Sequence, residues 1–277
     1  MGSDMDYIQT LKESFKIFKE NKLIWIFNFL ASLFVLINSI TLPKLGFWAC
    51  GFFIVDLAIA TVSLISIISM YYVIYQATLD NKPKFSNAWS IGRSRFFRII
   101  GLILIYITIL LILFVVSFLM SKTDLSQFSW ILSLAGLLFS SLGNFGIYAI
   151  VINDAKPLKS FVASVLILFN NFLKVMIIVT SFYLFNLLIQ GVIIAFLAVS
   201  PLKTLLPSLA QFNYSTYQQI TVLPLFRGEN WLFELLVSPL ETIMLILAYL
   251  KFTKEIAYPG LEQVNEADDC KNWMEIG

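Results

Sequence analysis

The sequence predicts an all-α polytopic membrane protein with six transmembrane helices, and two observations support this prediction. Hydrophobic residues make up 59% of the 277 residues and charged residues only 13%, whereas soluble domains carry roughly 45–50% and about 25%. A soluble fold of this composition would expose large apolar patches and aggregate. In addition, the apolar residues fall into six runs, each long enough for a helix to cross a hydrocarbon layer of about 30 Å, which takes about 20 residues.

The six runs cover residues 23–42, 47–76, 99–121, 128–152, 173–200 and 231–250. They are predicted to be helices because lipid offers no hydrogen-bond partner to open backbone groups. No run shows the alternating pattern of a barrel strand. The second run is longer than a hydrocarbon layer at about 1.5 Å per residue. We therefore expect it to tilt, or to place its tyrosine-rich end at residues 71–76 in the membrane interface.

The distribution of basic residues predicts the orientation of the chain. Of the 19 basic residues, only Lys44, Lys122, Lys203 and Arg227 fall on the side of the membrane opposite to the termini. The positive-inside rule then places both termini in the cytoplasm, and we expect the protein to lie in the plasma membrane. The interfacial basic residues between the spans on the cytoplasmic side are Lys82, Lys84, Arg93, Arg95, Arg98, Lys156 and Lys159.

A short polar segment occurs twice in the sequence, each time before an apolar run. KPKFSNAWS at residues 82–90 and KPLKSFVAS at residues 156–164 lie 74 residues apart, and TLKESFKIFKENKLIW is a looser first copy. Proline favours the first turn of a helix, so we expect Pro83 and Pro157 to begin helices that lie in the headgroup layer. Each copy predicts an interfacial helix followed by a helical hairpin. The alternative is that cytoplasmic loops look alike through composition only.

This pattern predicts one transmembrane domain over residues 1–277. It would consist of three tandem units at about residues 8–80, 81–154 and 155–256. Residues 257–277 form an acidic tail, which we expect to be cytoplasmic.

The two polar segments that link the predicted spans resemble segments of a known family. QATLDNKPKFSNAWSIGRSRFFRIIG and AIVINDAKPLKSFVASVLILFNNFLKV are similar to segments of bacterial and archaeal six-span proteins. That group includes the membrane domain of some glycerophosphodiester phosphodiesterases and the YciC-like membrane proteins. The resemblance covers most of residues 11–254 and implies architecture. It does not imply phosphodiesterase activity, because that catalytic domain uses histidine and this chain has none.

The chain lacks the residues that several classes of function need. Without histidine, the chain has no imidazole base, proton relay or histidine metal ligand. Its net charge of +2 is too small to indicate nucleic-acid binding. Cys50 lies in an apolar run and Cys270 in the polar tail, a placement that argues against a disulfide between them. No phosphate-binding glycine loop, CxxC pair or nucleophile elbow is present. We expect no catalytic residue, no cofactor and no metal.

Polar residues inside the predicted spans form the candidate site. Glu234 and Glu241 are seven residues apart on one helix face and flank Pro239, which frees a carbonyl about one turn earlier. The candidate intramembrane polar site comprises Asp56, Glu234, Glu241, Asn186 and Gln190, with Glu241 the strongest member. Further polar residues that could join it are Asn28, Asn38, Ser140, Ser141 and Asn144. One interpretation is a cation or proton pathway or a headgroup groove; the other is interhelical hydrogen bonding.

Two functions from different classes follow from this reading. The first is a non-enzymatic plasma-membrane protein that acts as a scaffold or accessory component in envelope or lipid homeostasis. Its expected partners are the lipid bilayer and either another membrane protein or a second copy of the chain. The alternative is a transporter or permease subunit with an intramembrane acidic site. A lipid-modifying enzyme ranks last, because the chain has neither histidine nor a clustered acidic motif.

Overall fold

The protein is helical throughout the part that the structure describes. This computed structural model describes residues 6–41, 49–121, 142–181, 184–185, 188 and 224–255. These residues form eight helices and no strand, which confirms the predicted all-α class. The helices are α1 (Tyr7–Glu20), α2 (Lys22–Thr41), α3 (Ala49–Thr78), α4 (Phe85–Ser121), α5 (Leu142–Asn153), α6 (Pro157–Asn170), α7 (Phe172–Ser181) and α8 (Pro224–Glu255).

Two of the described helical stretches, Leu57–Thr78 in α3 and Phe85–Ile112 in α4, are long and apolar enough to cross a membrane. The pair α6 and α7, bent by 91° at Asn171, would make a third span if it is counted as one. On α4, Phe97 is 80% exposed and Leu104 and Leu111 are each 58% exposed. Such a surface needs lipid or another apolar partner, as expected of a membrane protein. Most of the other predicted spans lie partly outside the described residues.

The first helix begins and ends at side-chain caps. The Asp6 carboxylate accepts hydrogen bonds from the N–H groups of Ile8 and Gln9 at 3.0 and 3.1 Å, two of the amides that a helix start leaves without a partner. At the other end, the Asn21 backbone N–H and side-chain amide both donate to the Ile17 carbonyl. Asn21 has an extended backbone, so the chain turns there before α2.

A similar asparagine separates α6 from α7. The Asn171 N–H and side-chain amide donate to the Ile167 carbonyl at 3.0 and 3.4 Å, and Asn171 lies 150 residues after Asn21. Counting back 74 residues from Asn171 gives Phe97, which has no such side-chain cap, and α4 continues through it. Here the structure differs from the sequence-based expectation. In the second predicted unit, the segments expected to form an interfacial helix and a span form one helix of 37 residues, about 55 Å long at about 1.5 Å per residue.

The turns after α3 and α5 share a backbone conformation. Asp80 has φ 57° and Asp154 has φ 55°, both in the left-handed region that ends many helices. After α3, the Asn81 N–H donates to the Gln76 carbonyl at 3.0 Å and the Asp80 N–H to the Ala77 carbonyl at 3.2 Å. A Lys-Pro pair follows each turn. Pro157 is the first residue of α6, as predicted; α4 begins at Phe85, two residues after Pro83.

The core lies where α2, α3, α5 and α8 meet, with α4 packed on α3. A glycine allows α3 and α4 to approach each other closely. A Cβ at Gly92 of α4 would lie 2.7 Å from the Ile65 carbonyl oxygen of α3, so the two helices pack closer than a larger residue would permit. Tyr71 and Tyr75 are 8% and 9% exposed. They pack inside the protein, and the placement of this tyrosine-rich end in the membrane interface stays a prediction.

Candidate functional site

Helix α8 continues through Pro239, but the proline leaves a gap in the hydrogen bonds of the helix, which we call the Pro239 break, and a neighbouring helix supplies the missing donor. Pro239 has no N–H, so the Leu235 carbonyl four residues earlier loses its helical partner. The side-chain amide of Asn28, on α2, donates to that carbonyl at 2.8 Å. Asn28 is 5% exposed, so water does not compete well for this hydrogen bond. Asn28 therefore acts here as a link between two helices.

Glu241 lies two residues after the break and is partly buried. Tyr71 on α3 and Tyr148 on α5 are both buried in the core. The rings of Tyr71 and Tyr148 meet edge to face with centroids 5.1 Å apart, an arrangement that aromatic pairs prefer. We call Tyr71, Tyr148 and Tyr249 the tyrosine cluster, because Tyr249 of α8 continues it at 5.9 Å from Tyr148.

The tyrosine cluster connects to the turn between α5 and α6. The Tyr249 hydroxyl donates to the side-chain oxygen of Asn153 at 2.8 Å. Next to Asn153, the Asp154 carboxylate pairs with Arg95 and Arg98 of α4. Arg98 also donates to the Asp154 backbone oxygen at 3.0 Å. These contacts hold α4, α5 and α8 together at one end of the core.

The basic residues predicted at the interface thus fall into two groups. Arg95 and Arg98 are partly buried in the ion pairs with Asp154, which sequence reasoning did not foresee. The exposed members are Lys82, Lys84, Arg93, Lys156 and Lys159. Their exposure leaves these side chains available to solvent or to headgroups.

Of the five residues in the predicted intramembrane site, the structure describes the side chain of Glu241. Asp56 lies on α3 and Glu234 on α8, and their side chains are outside the described set. Asn186 and Gln190 lie outside the described residues, as do Ser140 and Ser141; the Asn38 side chain is also outside. Asn144 is partly buried on α5. Asn28 and Glu241 are the predicted polar residues that the structure places on either side of the Pro239 break.

Other polar side chains in the described helices also bond across helix interfaces. The Ser63 hydroxyl of α3 donates to the Ala31 carbonyl of α2. The Tyr106 hydroxyl of α4 donates to the Leu142 carbonyl of α5 at 2.7 Å and lies 3.1 Å from the Ser164 hydroxyl of α6. Where the chain is described, no group of three or more Asp, Glu, Cys or His side chains could hold a metal. The hydrogen bonds of Ser63 and Tyr106 join α2 to α3 and α4 to α5.

An apolar cleft was not foreseen from the sequence. It has a volume of about 800 Å³ and lies between α1, α7 and α8. The sequence signal that could have found it is the apolar face of α1, where Ile8, Leu11 and Phe15 recur at helical spacing. Its third wall depends on the bend at Asn171, and nothing in the sequence pattern gave the direction of that bend.

Comparison of the chain with protein-family models, with curated proteins and with solved structures gives no match.

Proposed function

We propose that the chain is a non-enzymatic multi-pass plasma-membrane protein that acts as a scaffold or accessory component in envelope or lipid homeostasis. The observation that carries this proposal is the use of polar side chains inside the bundle. Asn28 bonds the Leu235 carbonyl, Tyr249 bonds Asn153, and Tyr106 bonds the Leu142 carbonyl. Hydrogen bonds of this kind join membrane helices, at about 0.6 kcal/mol each on average. A bundle held in this way suits a structural role.

The proposed topology has six spans with both termini in the cytoplasm. It is supported by the exposed lysines in the turns after α3 and α5, which include Lys82, Lys84 and Lys156. Cytoplasmic loops are enriched in such residues. The long apolar stretches of α3 and α4 supply two of the six spans in this arrangement.

The proposed three-unit repeat is supported by two pairs of matched chain positions. Asp80 and Asp154 are 74 residues apart and both left-handed. Asn21 and Asn171 are 150 residues apart and both cap a helix through a carbonyl four residues earlier. The resemblance to the six-span family belongs to the same proposal and remains a prediction.

Cysteine accessibility tests the topology. In a variant with Cys50 and Cys270 replaced by serine, we expect Lys84→Cys and Lys159→Cys to react with a membrane-impermeant maleimide only after the cells are opened. The control is Lys44→Cys, which lies in a predicted outer loop and should react in intact cells. Labelling of Lys84→Cys in intact cells would contradict the proposed orientation.

Genetic rescue tests the scaffold function. In cells that lack the chain, we expect weakened resistance to detergents, and Glu241→Gln should restore resistance as well as the unaltered protein does. The physical reason is that a scaffold needs the packed bundle, and Glu241→Gln keeps the side-chain volume. Failure of Glu241→Gln to rescue, at normal protein levels, would reject the scaffold role in favour of the alternative.

The alternative is a transporter or permease subunit, and Glu241 is the observation that favours it. Glu241 is partly buried beside the Pro239 break and has no ion-pair partner among the described residues. Acidic groups so placed often mark ion pathways. In proteoliposomes, proton or cation flux that is lost on Glu241→Gln and kept on Glu13→Gln, an exposed control, would support transport. Equal flux in both variants would remove Glu241 from any pathway.

A further inference from the structure

The floor of the apolar cleft comes from the first helix. One face of α1 carries Tyr7, Ile8, Leu11, Phe15 and Phe18 into the cleft. Their spacing follows the helical repeat, so they form a continuous stripe. Phe18 is buried at 8% exposure and anchors this face to the core.

The other walls are equally apolar. From α7 and α8 the lining residues are Ile177, Ile178, Ser181, Val237, Leu240 and Met244. The hydroxyls of Tyr7 and Ser181 are the polar side-chain groups among the lining residues. A cavity of about 800 Å³ falls within the range of sites that hold a small apolar molecule, roughly 300–1,000 Å³.

The cleft is open along one edge. Ile8 is 68% exposed, Phe15 53% and Ile177 51%. In water such an exposed apolar edge would promote aggregation. In a bilayer it is a route by which a hydrocarbon chain can enter from the side.

Lysines border that open edge. Lys12 follows Ile8 by four residues and Lys19 follows Phe15 by four, so each lysine lies one helical turn from an exposed apolar side chain. Both lysines are exposed, as is Lys16 between them. The acidic residues of α1 are Glu13 and Glu20. They lie farther round the helix from the cleft than the three lysines do.

We propose that the cleft binds one acyl chain of an anionic phospholipid, with the lipid phosphate held by Lys12 and Lys19. An amphipathic helix with lysines beside its apolar face combines hydrocarbon burial with attraction to anionic headgroups. The cleft adds a defined binding site for the acyl chain, which the exposed face of a helix alone does not provide. This inference rests on the proposed membrane placement of α1 at the cytoplasmic leaflet.

Photolabelling in nanodiscs tests the proposal on the full chain. The probe is phosphatidylglycerol with a diazirine at the end of one acyl chain, diluted in phosphatidylcholine. We expect labelling of α1, α7 and α8 peptides to saturate at a low mole fraction of probe. The α4 peptide around Leu104, whose exposed side chain faces outwards, should label in linear proportion to the probe.

Two sets of variants separate the acyl chain from the headgroup. Leu11→Trp with Leu240→Trp fills the cleft and is expected to lower saturable labelling by roughly fivefold or more, whereas Leu104→Trp is the matched control on α4. Lys12→Gln with Lys19→Gln is expected to reduce the preference for phosphatidylglycerol over a phosphatidylcholine probe by roughly fivefold. Lys84→Gln, an exposed lysine of the α3–α4 turn, should leave it unchanged. Gel filtration of each variant checks that it is folded.

Two results would overturn the lipid site. One is labelling of the cleft that rises linearly, as for α4. The other is labelling that appears only after proteolysis at a site inserted after Pro259, which would mean that the C-terminal tail fills the cleft. The cysteine-accessibility experiment separates this failure from failure of the proposed topology: correct accessibility with linear labelling rejects only the lipid site.

Discussion

Replacing Gly92 by alanine is expected to destabilise the protein by about 1–3 kcal/mol, the usual cost of forcing extra volume into a packed interface. The added Cβ would lie 2.7 Å from the Ile65 carbonyl oxygen and would also meet the Ser69 hydroxyl. A backbone carbonyl inside a helix cannot move aside as a flexible side chain can, so α3 and α4 must separate. Unfolding in mixed detergent micelles, followed by circular dichroism, measures the free energy of unfolding.

Gly143 provides the matched control for Gly92. A Cβ at Gly143 would meet nothing within 4 Å, so Gly143→Ala should be neutral or stabilise α5 by up to about 1 kcal/mol through helix propensity. Gly92→Leu should abolish the folded species in gel filtration, because its side chain needs far more room. Equal stability of Gly92→Ala and the unaltered protein would show that the helices are not packed as closely as described.

Asn28→Leu is expected to cost about 1–3 kcal/mol, because the Leu235 carbonyl would be left buried without a donor. The cost depends on Pro239. In a Pro239→Ala background, residue 239 regains an N–H that can reach the Leu235 carbonyl in the ordinary helical manner. Asn28→Leu should then cost less, and the double-mutant cycle should give a coupling energy of about 1 kcal/mol. The measurement is again unfolding in mixed micelles.

The control for this cycle is Thr108→Val on α4. The Thr108 hydroxyl is exposed and donates to the Leu104 carbonyl of its own helix at 2.8 Å, so its small effect should be the same with and without Pro239. If the effects of Asn28→Leu and Pro239→Ala simply add, Asn28 does not compensate for the missing N–H.

The hydrogen bond at the Pro239 break separates what the sequence alone predicts from what it does not. A proline within an apolar run must free the carbonyl four residues earlier, since this follows from covalent structure. The sequence also suggested Asn28 as one of several polar residues that could take part. Its selection as the partner depends on the packing of α2 against α8, and these residues are separated by more than 200 positions in the chain. No local pattern encodes such a pairing.

The second predicted unit differs from the other two at one helix end. Asn21 and Asn171 each end a helix through a side-chain cap, and Phe97 stands at the corresponding place in α4. The repeated polar segments nevertheless predicted a separate interfacial helix in all three units. Each asparagine bonds the carbonyl four residues earlier through its side chain, and the phenylalanine at position 97 cannot form such a bond.

The sequence by itself determined the all-α class of this protein and the apolar character of its long helices, because the burial of apolar side chains and the hydrogen bonding of the backbone are local requirements of each segment. The tertiary structure decided the use of the polar residues. It paired Asp154 with Arg95 and Arg98, buried the tyrosine cluster in the core, and opened a cleft between α1 and α8. These arrangements depend on the bend and packing of helices distant in the chain, and periodicity within one helix carries no record of its neighbours.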